Sequence, residues 1–495
     1  MTSILGIDLG TSSVKTMLLD SDRGVVTVEA KGYDVCIPQA NYAEQEPETW
    51  WRATKKTIEM LKHKFPEEFA SICGIGFSGQ MHGIVLVDKD GEAIRPAILW
   101  MDQRSEKELE EINSCISEKE MKEVMHNRVF TGFALSSLLW IKKHEPNNYK
   151  KIHKIMQPKD YIRFKMTGKI GTEVTDASAS LLFDVGKRTW AYHIHDKFGF
   201  SKDIFPKCFE SIDIAGKVTQ ECEKETGLRS GIPIVYGAGD QQSQSIGNGS
   251  IKEGITICNI GTGGQISTFS KEDRFDKELR THTFCHCVKE AYTVYGAILC
   301  GGLSLKWLKN NVLHIDSFDK MSEKASKVAP GSNGLIYLPY LTGERTPYMN
   351  AKAKGMFFGI QLGNDDCTFI RSVMEGVTFA LKDSLQIFDE MGIKNEKVIA
   401  SGGGASSNVW LQIQADIFNK EVQVCKEKEQ ACLGACIIAG VGIGIFTSFE
   451  EACNKHVRFE KKIYKPDDRN VKRYEEIYEV YKELYKNNVE LFEKI

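Results

Sequence analysis

A carboxylate and a small hydroxyl-bearing turn lie together near the start of the chain, in Asp8-Leu9-Gly10-Thr11-Ser12. The turn separates two apolar runs, residues 3–8 and 14–19, that are typical of strands. Backbone N–H groups and hydroxyls in such a turn can bind phosphate oxygens, and glycine lets the backbone come close to the anion. An acidic residue beside phosphate is repelled unless a cation lies between them, and Mg²⁺ prefers carboxylates together with phosphates. The residues therefore predict a magnesium–phosphate site, although the turn alone is also typical of an ordinary hairpin.

A similar turn recurs about half the chain later, in Cys258-Asn259-Ile260-Gly261-Thr262-Gly263. Apolar runs of strand character flank this copy as they flank the first. The repeated strand–turn–strand context predicts two similar lobes that divide near residues 247–254, so that the predicted domains are 1–246 and 247–495. Two such turns, one from each lobe, could bind a polyphosphate from both sides.

A third glycine cluster, Gly402-Gly403-Gly404, follows a strand-like run at 397–400 and precedes a predicted helix that begins near Asn408. A glycine turn between a strand and a helix N-terminus is a geometry that contacts nucleotide phosphates. A tight structural connection is the alternative interpretation. The P-loop and dinucleotide-binding glycine motifs do not occur in a strand–helix context in this sequence.

Asp240 follows Gly237-Ala238-Gly239, which comes after a strand-like run at 234–236. A carboxylate at such a glycine-flexed tip can accept a proton from a substrate hydroxyl, and a plain helix cap is the alternative. A second polar loop, Ser78-Gly79-Gln80-Met81-His82-Gly83, lies between two predicted strands. It is typical of a small-molecule contact loop, although His82 can equally be a hydrogen-bonded loop histidine.

Length and composition limit the classes of protein that fit. With 495 residues the chain exceeds a single hydrophobic core, and 42% hydrophobic with 26% charged residues indicate folded domains. The 64 basic and 67 acidic residues nearly balance, which argues against a nucleic-acid-binding protein that relies on bulk positive charge. Short apolar runs alternate with longer amphipathic ones, as in α/β proteins. Residues 467–495 predict a surface-packed or partner-binding helix with an apolar face of Tyr474, Ile477, Val480, Tyr481 and Leu484.

The fourteen cysteines are scattered, and the chain starts without the basic region or cleavage site of a signal peptide. We therefore expect reduced thiols and a cytoplasmic protein. Cys285-His286-Cys287 lies in an alternating run, which places the sulfurs on one face of a strand and favours packed thiols over a metal site. The apolar run at residues 431–446 is shorter than the ~20 residues that span a bilayer and predicts a buried helix.

Taken together, these motifs resemble those of the FGGY carbohydrate kinases, of the actin/hexokinase/Hsp70 ATPase-like superfamily. The resemblance extends from Gly6-Ile7-Asp8 to about residue 445 and implies an α/β fold of two actin/hexokinase-like (ribonuclease H-like) lobes around a central cleft. Within the family it is strongest to bacterial xylulokinases. The matching stretches are Ser78-Gly79-Gln80-Met81-His82-Gly83, Arg95-Pro96-Ala97-Ile98-Leu99-Trp100, Pro158-Lys159-Asp160-Tyr161, Thr175-Asp176-Ala177-Ser178, His282-Thr283-Phe284-Cys285-His286 and Leu338-Pro339-Tyr340-Leu341-Thr342-Gly343-Glu344-Arg345-Thr346-Pro347.

The resemblance implies a role for each motif. Asp240 matches the catalytic base that deprotonates the primary hydroxyl of the sugar, Asp8 matches the acidic residue that organises Mg²⁺, and both are implied metal ligands. The residues implied to contact the sugar are Gln80, Met81, His82, Trp100, Asp102 and Gln241. Those implied to bind ATP are Gly10, Thr11, Ser12, Lys15, Gly261, Thr262, Gly263, Gly402, Gly403, Gly404 and Asn408. The implied partners are a sugar and ATP, without nucleic acid or a membrane.

The sequence departs from the resemblance at two points. Gln241 follows the base where xylulokinases usually have Asn, and the second turn reads Gly-Thr-Gly-Gly where Gly-Thr-Ser is commoner. The implied activity is ATP-dependent phosphorylation of D-xylulose to D-xylulose 5-phosphate. Because of Gln241, a kinase for ribulose, sedoheptulose, glycerol or erythritol stays an alternative, as does a non-catalytic sugar sensor. The resemblance leaves open whether Trp307 lies near adenine or in the core, and whether helices of either lobe form a homodimer.

Overall fold

The structure, a computed structural model, describes residues 2–495. Its contacts divide the chain into two compact units. The first unit comprises the chain up to Ile251, Thr283–Thr293 and Glu429–Val457. The second comprises Lys252–His282, Val294–Lys428 and Arg458–Ile495. The division by contacts therefore differs from a single boundary between residues 246 and 247, because two later segments pack with the first unit.

A mixed sheet forms the centre of the first unit. Its first three strands are antiparallel to one another, and the fourth strand in sequence, Ile72–Gly79, pairs parallel with Ser3–Leu9. A short strand, Ala238–Gly239, pairs with the carboxyl end of Ile72–Gly79. The strands lie in the order Ile214–Lys217, Pro233–Val235, Ile72–Gly79, Ser3–Leu9, Ser13–Asp20 and Gly24–Gly32.

Helices and short strand pairs complete the first unit. The short strands pair Glu44–Gln45 with Ala97–Ile98, Val85–Val87 with Lys154–Met156, Thr172–Glu173 with Cys208–Phe209, and Phe183–Asp184 with Thr189–Trp190. The α-helices are Pro47–Lys64, Pro66–Ala70, Glu106–Cys115, Glu118–Glu120, Ala134–His144, Pro146–Tyr149, Pro158–Thr167, Val174–Ser178, Tyr192–Lys197, Gln220–Thr226, Asp240–Gly247, Gln430–Gly442 and Phe449–His456.

The helix Gln430–Gly442 confirms the prediction of a buried helix and explains why this late segment belongs to the first unit. It lies directly on the strands at Gly6 and Gly76. A Cβ atom on Gly6 would lie 2.6 Å from the carbonyl oxygen of Cys432, and one on Gly76 would lie 2.1 Å from that of Ala435. Only glycine permits backbones to approach this closely, so the small residues of helix and strands fix the contact.

The second unit repeats the arrangement of the first. The strands Gly254–Ile260 and Gly264–Ser270 form an antiparallel hairpin, and Asn395–Gly402 pairs parallel with the first of them. Its sheet includes, in order, Tyr292–Ile298, Gly264–Ser270, Gly254–Ile260, Asn395–Gly402 and Glu421–Val424, and Ile336–Leu338 pairs separately with Met356–Phe358. Its α-helices are Gly302–Trp307, Phe318–Ser326, Asp366–Glu390, Asn408–Phe418 and Asp468–Phe492.

The carboxyl-terminal helix, Asp468–Phe492, confirms the predicted amphipathic segment with one correction. Tyr474, Ile477, Tyr481 and Leu484 are buried in the core of the second unit, but Val480 is 44% exposed. At about 100° per residue, the buried residues of this helix share one face, and Val480 lies at the border of that face.

The state of the cysteines and the character of the helices bear on two further predictions. The fourteen cysteines are free thiols, and Cys285 and Cys287 are both buried. Burial also lowers the pKa of His286 to about 3, and its Nδ1 accepts the N–H of Val288, so its ring is a neutral packed group. The strand here is His282–Cys285, shorter than the predicted run. Among residues 2–495, no helix has the length and apolar character needed to cross a bilayer.

Candidate active site

The edge of the first sheet brings Asp8 and Asp240 together. Asp8 lies one residue before the end of Ser3–Leu9, and Asp240 begins the helix Asp240–Gly247 directly after Ala238–Gly239. In register, Ser78 is opposite Asp8 on one side and Ala238 on the other. Asp8 lies within one strand and Asp240 directly follows another, and the two strands flank one central strand at the same edge of the sheet, with neighbouring strands about 4.8 Å apart.

The environment of Asp240 raises its pKa to about 7. Removal from water is the main cause, the negative charge of Asp8 adds to it, and the N–H of Gln241 opposes it. The carboxylate is therefore poised near neutral pH, where a general base is most effective. Asp240 is the first residue of its helix and Gly239 is the N-cap, so Asp240 is not the helix cap.

Asp8 is held by neighbours on both sides. The hydroxyl of Ser78 donates a 2.6 Å hydrogen bond to Asp8 Oδ1, and Lys15 is its partner on the adjacent strand. Burial raises the pKa of Asp8, Ser78 and Lys15 lower it, and Glu429 raises it. Lys15 Nζ lies 2.5 Å from Glu429 Oε2, so the predicted ATP ligand is ion-paired in this structure.

The chemistry of Asp8 and Asp240 fits a magnesium ion. The negative charge of Asp8 raises the pKa of Asp240, and that of Glu429 raises the pKa of Asp8. A divalent cation between the two carboxylates would offset this repulsion. Mg²⁺ is usually bound by one or two carboxylates, with waters and substrate phosphates completing its coordination. The pair is therefore of the right chemical type for magnesium that arrives with a nucleotide.

The first turn is a tight hairpin tied to its surroundings. The N–H of Gly10 donates to Ser13, and the carbonyl of Gly10 accepts the hydroxyl of Tyr33 at 2.6 Å. The hydroxyl of Thr11 donates to Gln80 at 3.2 Å. Ser12 is exposed at the tip. The turn is therefore held by hydrogen bonds on both sides, and its role as a phosphate loop remains a prediction.

The polar loop after Ile72–Gly79 lies against the same edge. Met81 is buried and packs so closely on Gly239 that a Cβ atom there would lie 2.7 Å from the Met81 sulfur. Gln80 is buried, and its amide donates to Gln45 at 3.2 Å. Met81 therefore contacts the residue that precedes Asp240, which places the predicted sugar loop beside the predicted base.

His82 is half-buried and has a φ of 70°. Its Nδ1 lies 3.0 Å from the carbonyl oxygen of Ala179, and its ring centroid lies 3.9 Å from that of Phe133. The backbone contact and the ring contact fix the orientation of the imidazole. A sugar role for His82 remains a prediction.

Trp100 and Asp102 have different surroundings. Trp100 is 39% exposed, and its indole N–H donates to the Thr11 hydroxyl at 3.1 Å, which links it to the phosphate turn. Asp102 is 1% exposed, and its oxygens accept from Arg104 and from the N–H of Ala43. The structure thus brings Trp100 to the site and engages Asp102 in a buried ion pair. Gln241 is half-buried beside Asp240.

The second unit holds a cavity of about 360 Å³ between its glycine turns. Gly261, Thr262, Gly403 and Gly404 line it, so the second and third predicted motifs meet at one place. The further lining residues, which the sequence analysis missed, include Leu303, Lys306, Phe318, Ser322 and Trp410. They are on three helices, and no local pattern marks them as ligand contacts. A cavity of this size and largely apolar character suits a small organic ligand.

Other predicted nucleotide residues lie around or away from this cavity. Gly402 ends its strand with a φ of 72°, a conformation that favours glycine. Gly263 follows Thr262 in the same turn, and its neighbour Thr262 accepts the N–H of Leu303 at 3.0 Å. Asn408 is exposed, and its side-chain oxygen accepts from the hydroxyl of Tyr464. Trp307 packs against the core and does not line the cavity.

Comparison with known proteins covers nearly the whole chain. The N-terminal domain of the FGGY family of carbohydrate kinases matches residues 3–247, and its C-terminal domain matches residues 256–443. The xylulose kinase of Bacillus subtilis (strain 168) is 36% identical over 491 residues, which cover 99% of this chain and 98% of that protein.

Solved structures of similar proteins have the same fold. A xylulose kinase of Brucella ovis has a TM-score of 0.93 at 30% identity, and the comparison covers 98% of this chain and 99% of that one. A gluconate kinase of Lactobacillus acidophilus has a TM-score of 0.94 at 25% identity and covers 100% of this chain and 99% of that one. The predicted two-lobe actin/hexokinase-like fold is therefore confirmed. The chain belongs to the FGGY family of carbohydrate kinases and is an ATP-dependent sugar kinase.

Proposed function

We propose that this kinase transfers the γ-phosphoryl group of ATP to D-xylulose and forms D-xylulose 5-phosphate, with Asp240 as the general base. The observation that carries the proposal is the poised carboxylate of Asp240, which lies beside Asp8 at the edge of the sheet and directly follows Gly239, the residue on which Met81 packs. The xylulose kinases of Bacillus subtilis and Brucella ovis support the choice of sugar.

In this reaction, Asp240, Asp8 and Ser78 of the first unit have separate roles. Asp240 must accept a hydrogen bond from the primary hydroxyl of the sugar, in line with the γ-phosphorus. Because a sugar hydroxyl is a weak acid, its proton moves to Asp240 late, as the new oxygen–phosphorus bond forms. Asp8 and Asp240 would hold Mg²⁺, which offsets negative charge on the transferring phosphates. Ser78 keeps the carboxylate of Asp8 in its orientation.

The nucleotide would bind in the cavity of the second unit. The N–H groups of the Gly261-Thr262-Gly263 turn and of Gly403 and Gly404 are available donors of the kind that bind phosphate oxygens. Phe318 and Leu303 offer apolar surface of the kind that an adenine ring covers. Neutral turns suit this task because a carboxylate there would repel the phosphates.

The identity of the sugar rests on the loop that contains Met81 and on Gln241. Because the chain is also similar to a gluconate kinase, gluconate is the main alternative to xylulose as the phosphoryl acceptor. Gluconate carries a carboxylate, whereas xylulose is neutral. The identity to the xylulose kinases of Bacillus subtilis and Brucella ovis, 36% and 30%, is higher than that to the gluconate kinase, 25%, and favours the neutral ketose.

A panel of acceptors tests the proposal directly. ADP release is measured with D-xylulose, ribulose, sedoheptulose, glycerol, erythritol and gluconate at saturating MgATP. We expect kcat/KM for D-xylulose to exceed that for every other acceptor by at least about tenfold, a difference of about 1.4 kcal/mol in transition-state binding. A higher value for any other acceptor overturns the assignment of the sugar, and absence of ADP release with all of them overturns the kinase assignment.

A further inference from the structure

A cluster of charged side chains lies fully buried behind the candidate active site, in the first unit. Lys159 Nζ lies 3.1 Å from Asp160, 3.1 Å from Glu173 and 2.8 Å from Asp176, and Arg163 lies 2.9 Å from Asp160. Each of these residues has an exposure of 0%. The removal of so many charges from water costs free energy that well-packed apolar residues would not cost. Stability alone is therefore a poor explanation of the cluster.

Hydrogen bonds connect this cluster to the residue before the base. Glu173 accepts the hydroxyl of Thr175 at 2.7 Å and its backbone N–H at 2.8 Å. The same Thr175 hydroxyl oxygen accepts the N–H of Gly239 at 2.9 Å. Because Glu173 takes the hydroxyl proton of Thr175, a lone pair of that oxygen must point at Gly239. The charge cluster thus sets the direction of a hydrogen bond next to Asp240.

A second connection holds the other end of the same segment. The hydroxyl of Ser211 donates to Glu173 at 3.0 Å, and the carbonyl of Ser211 accepts the N–H of Gly237 at 3.0 Å. The two glycines, Gly237 and Gly239, therefore both donate to residues that Glu173 orients. Glycine backbones are conformationally permissive, so a fixed position for Asp240 requires such external restraints.

We propose that Thr175, oriented by Glu173, is a positioning residue that fixes Gly239 and thereby aims the Asp240 carboxylate at the sugar hydroxyl. The proposal rests on the proposed role of Asp240. Lys159 completes the arrangement, because its ammonium group lies 3.1 Å from Glu173 and compensates the negative charge of that buried acceptor. Misplacement of a catalytic group by about 1 Å can lower a rate by about 100-fold.

The first test compares Thr175→Val with Thr175→Ser. Valine has nearly the shape of threonine but cannot accept the N–H of Gly239, whereas serine retains the oxygen. We expect Thr175→Val to lower kcat with the best sugar between about 10-fold and 100-fold with KM for ATP unchanged, and Thr175→Ser to recover most of the loss. Equal activity of Thr175→Val and wild type overturns the proposal, as does a Thr175→Ser variant as slow as Thr175→Val.

Thr226→Val is the matched control for loss of stability. Thr226 is also buried in the first unit, donates to the carbonyl of Cys222 and accepts the N–H of Leu228 at 3.1 Å. It thus loses the same kind of hydrogen bond at a place away from the site. We expect the two valine variants to lower the melting temperature to a similar extent and only Thr175→Val to lower kcat. Equal loss of kcat in both variants would assign Thr175 a merely structural role.

Glu173→Gln keeps the proposal testable if Thr175→Val fails to fold. The amide keeps the shape of the Glu173 side chain and removes one of the three carboxyl groups around Lys159. The amide can accept at only one of its two ends, so it weakens the orientation of Thr175. We expect an intermediate loss of kcat, between about threefold and tenfold. Wild-type kcat in a folded Glu173→Gln variant overturns the proposal.

A double-variant cycle separates this inference from the proposed base. If Thr175 acts through Asp240, Thr175→Val should change the residual turnover of Asp240→Asn by less than about twofold. A loss in that background as large as in wild type would show that Thr175 acts by another route and would overturn the positioning role. Near-normal turnover of Asp240→Asn alone would instead overturn the base itself.

Discussion

The hairpins Ser3–Asp20 and Gly254–Ser270 have the same topology, but the first carries charged side chains where the second carries neutral ones. In the first unit, Asp8 pairs in register with Lys15, and in the second unit the corresponding pair is Asn259 and Gln265. A parallel strand adds Ser78 beside Asp8 and Ser401 beside Asn259. The comparison shows that one backbone arrangement is used twice, once with charged side chains and once with their neutral counterparts.

The turns themselves also differ. Leu9 pairs with Val14 across the first turn, whereas Ile260 pairs with Gly264 across the second, which is one residue shorter. The first turn is tied to Trp100 and Gln80, and the second lines the cavity of about 360 Å³. In the proposed function, the charged hairpin lies beside the reacting groups, and the neutral hairpin lines the cavity proposed for the nucleotide.

The largest expected effect on turnover is that of Asp240→Asn, which removes the carboxylate beside the first hairpin. Asp240→Asn eliminates the proton acceptor but retains the shape of the side chain, so sugar-dependent turnover should fall about 10²–10⁴-fold. Binding of ATP should change little, since the cavity in the second unit is intact. Steady-state ADP release and calorimetric titration with ATP measure the two quantities. Asp196→Asn, at a surface carboxylate, should behave as wild type; near-normal turnover of Asp240→Asn would refute the base.

Asp8→Asn makes the first hairpin resemble the second. We expect kcat to fall about 100-fold, because a negative group beside magnesium and phosphate is lost. The pH profile provides a second readout. In the wild type, kcat/KM for the sugar should fall below about pH 7, because protonation of Asp240, whose pKa is about 7, removes the base.

The sign of the shift in Asp8→Asn follows from the same interaction. The charge of Asp8 raises the pKa of Asp240, so its removal lowers that pKa and moves the acidic limb of the profile to lower pH. Asp22→Asn, at an exposed carboxylate of the same unit, should leave the limb in place. An unchanged limb in Asp8→Asn would contradict the electrostatic contact between the two carboxylates.

The reverse exchange, Asn259→Asp, should have the smallest effect. It introduces a carboxylate without a lysine opposite it, next to the turn that lines the cavity. Repulsion of about 1 kcal/mol between this charge and the phosphates should raise KM for ATP about three- to tenfold, with kcat little changed. Asn259→Ser adds no charge and serves as the control. A KM for ATP that is unchanged in Asn259→Asp would argue against phosphate binding at the second hairpin.

Local patterns predicted the hairpins well. Apolar runs on either side of a Gly-Thr turn predicted strands that the structure places at Ser3–Leu9 and Ser13–Asp20, and the glycine cluster predicted the strand-to-helix connection before Asn408. These features depend on residues close in sequence, where periodicity and glycine conformation carry the information.

The rest depends on contacts between distant residues. The pairing of Lys15 with Glu429 spans most of the chain, and no local pattern indicates it. Asp102 follows the Trp100 motif but is engaged by Arg104 two residues later, and Val480 is an apolar residue on the exposed side of its helix. Spacing shows which residue types are near one another in sequence, but tertiary packing decides which of them reach a site.

The helix Gln430–Gly442, which covers Gly6 and Gly76, has a consequence for how the protein is made. During translation, the strands of the first sheet are synthesised long before this helix emerges from the ribosome. Gly6 and Gly76 therefore lack their packing partner for most of translation. Completion of the first unit is therefore a late event that needs contacts between residues far apart in sequence, which slows folding.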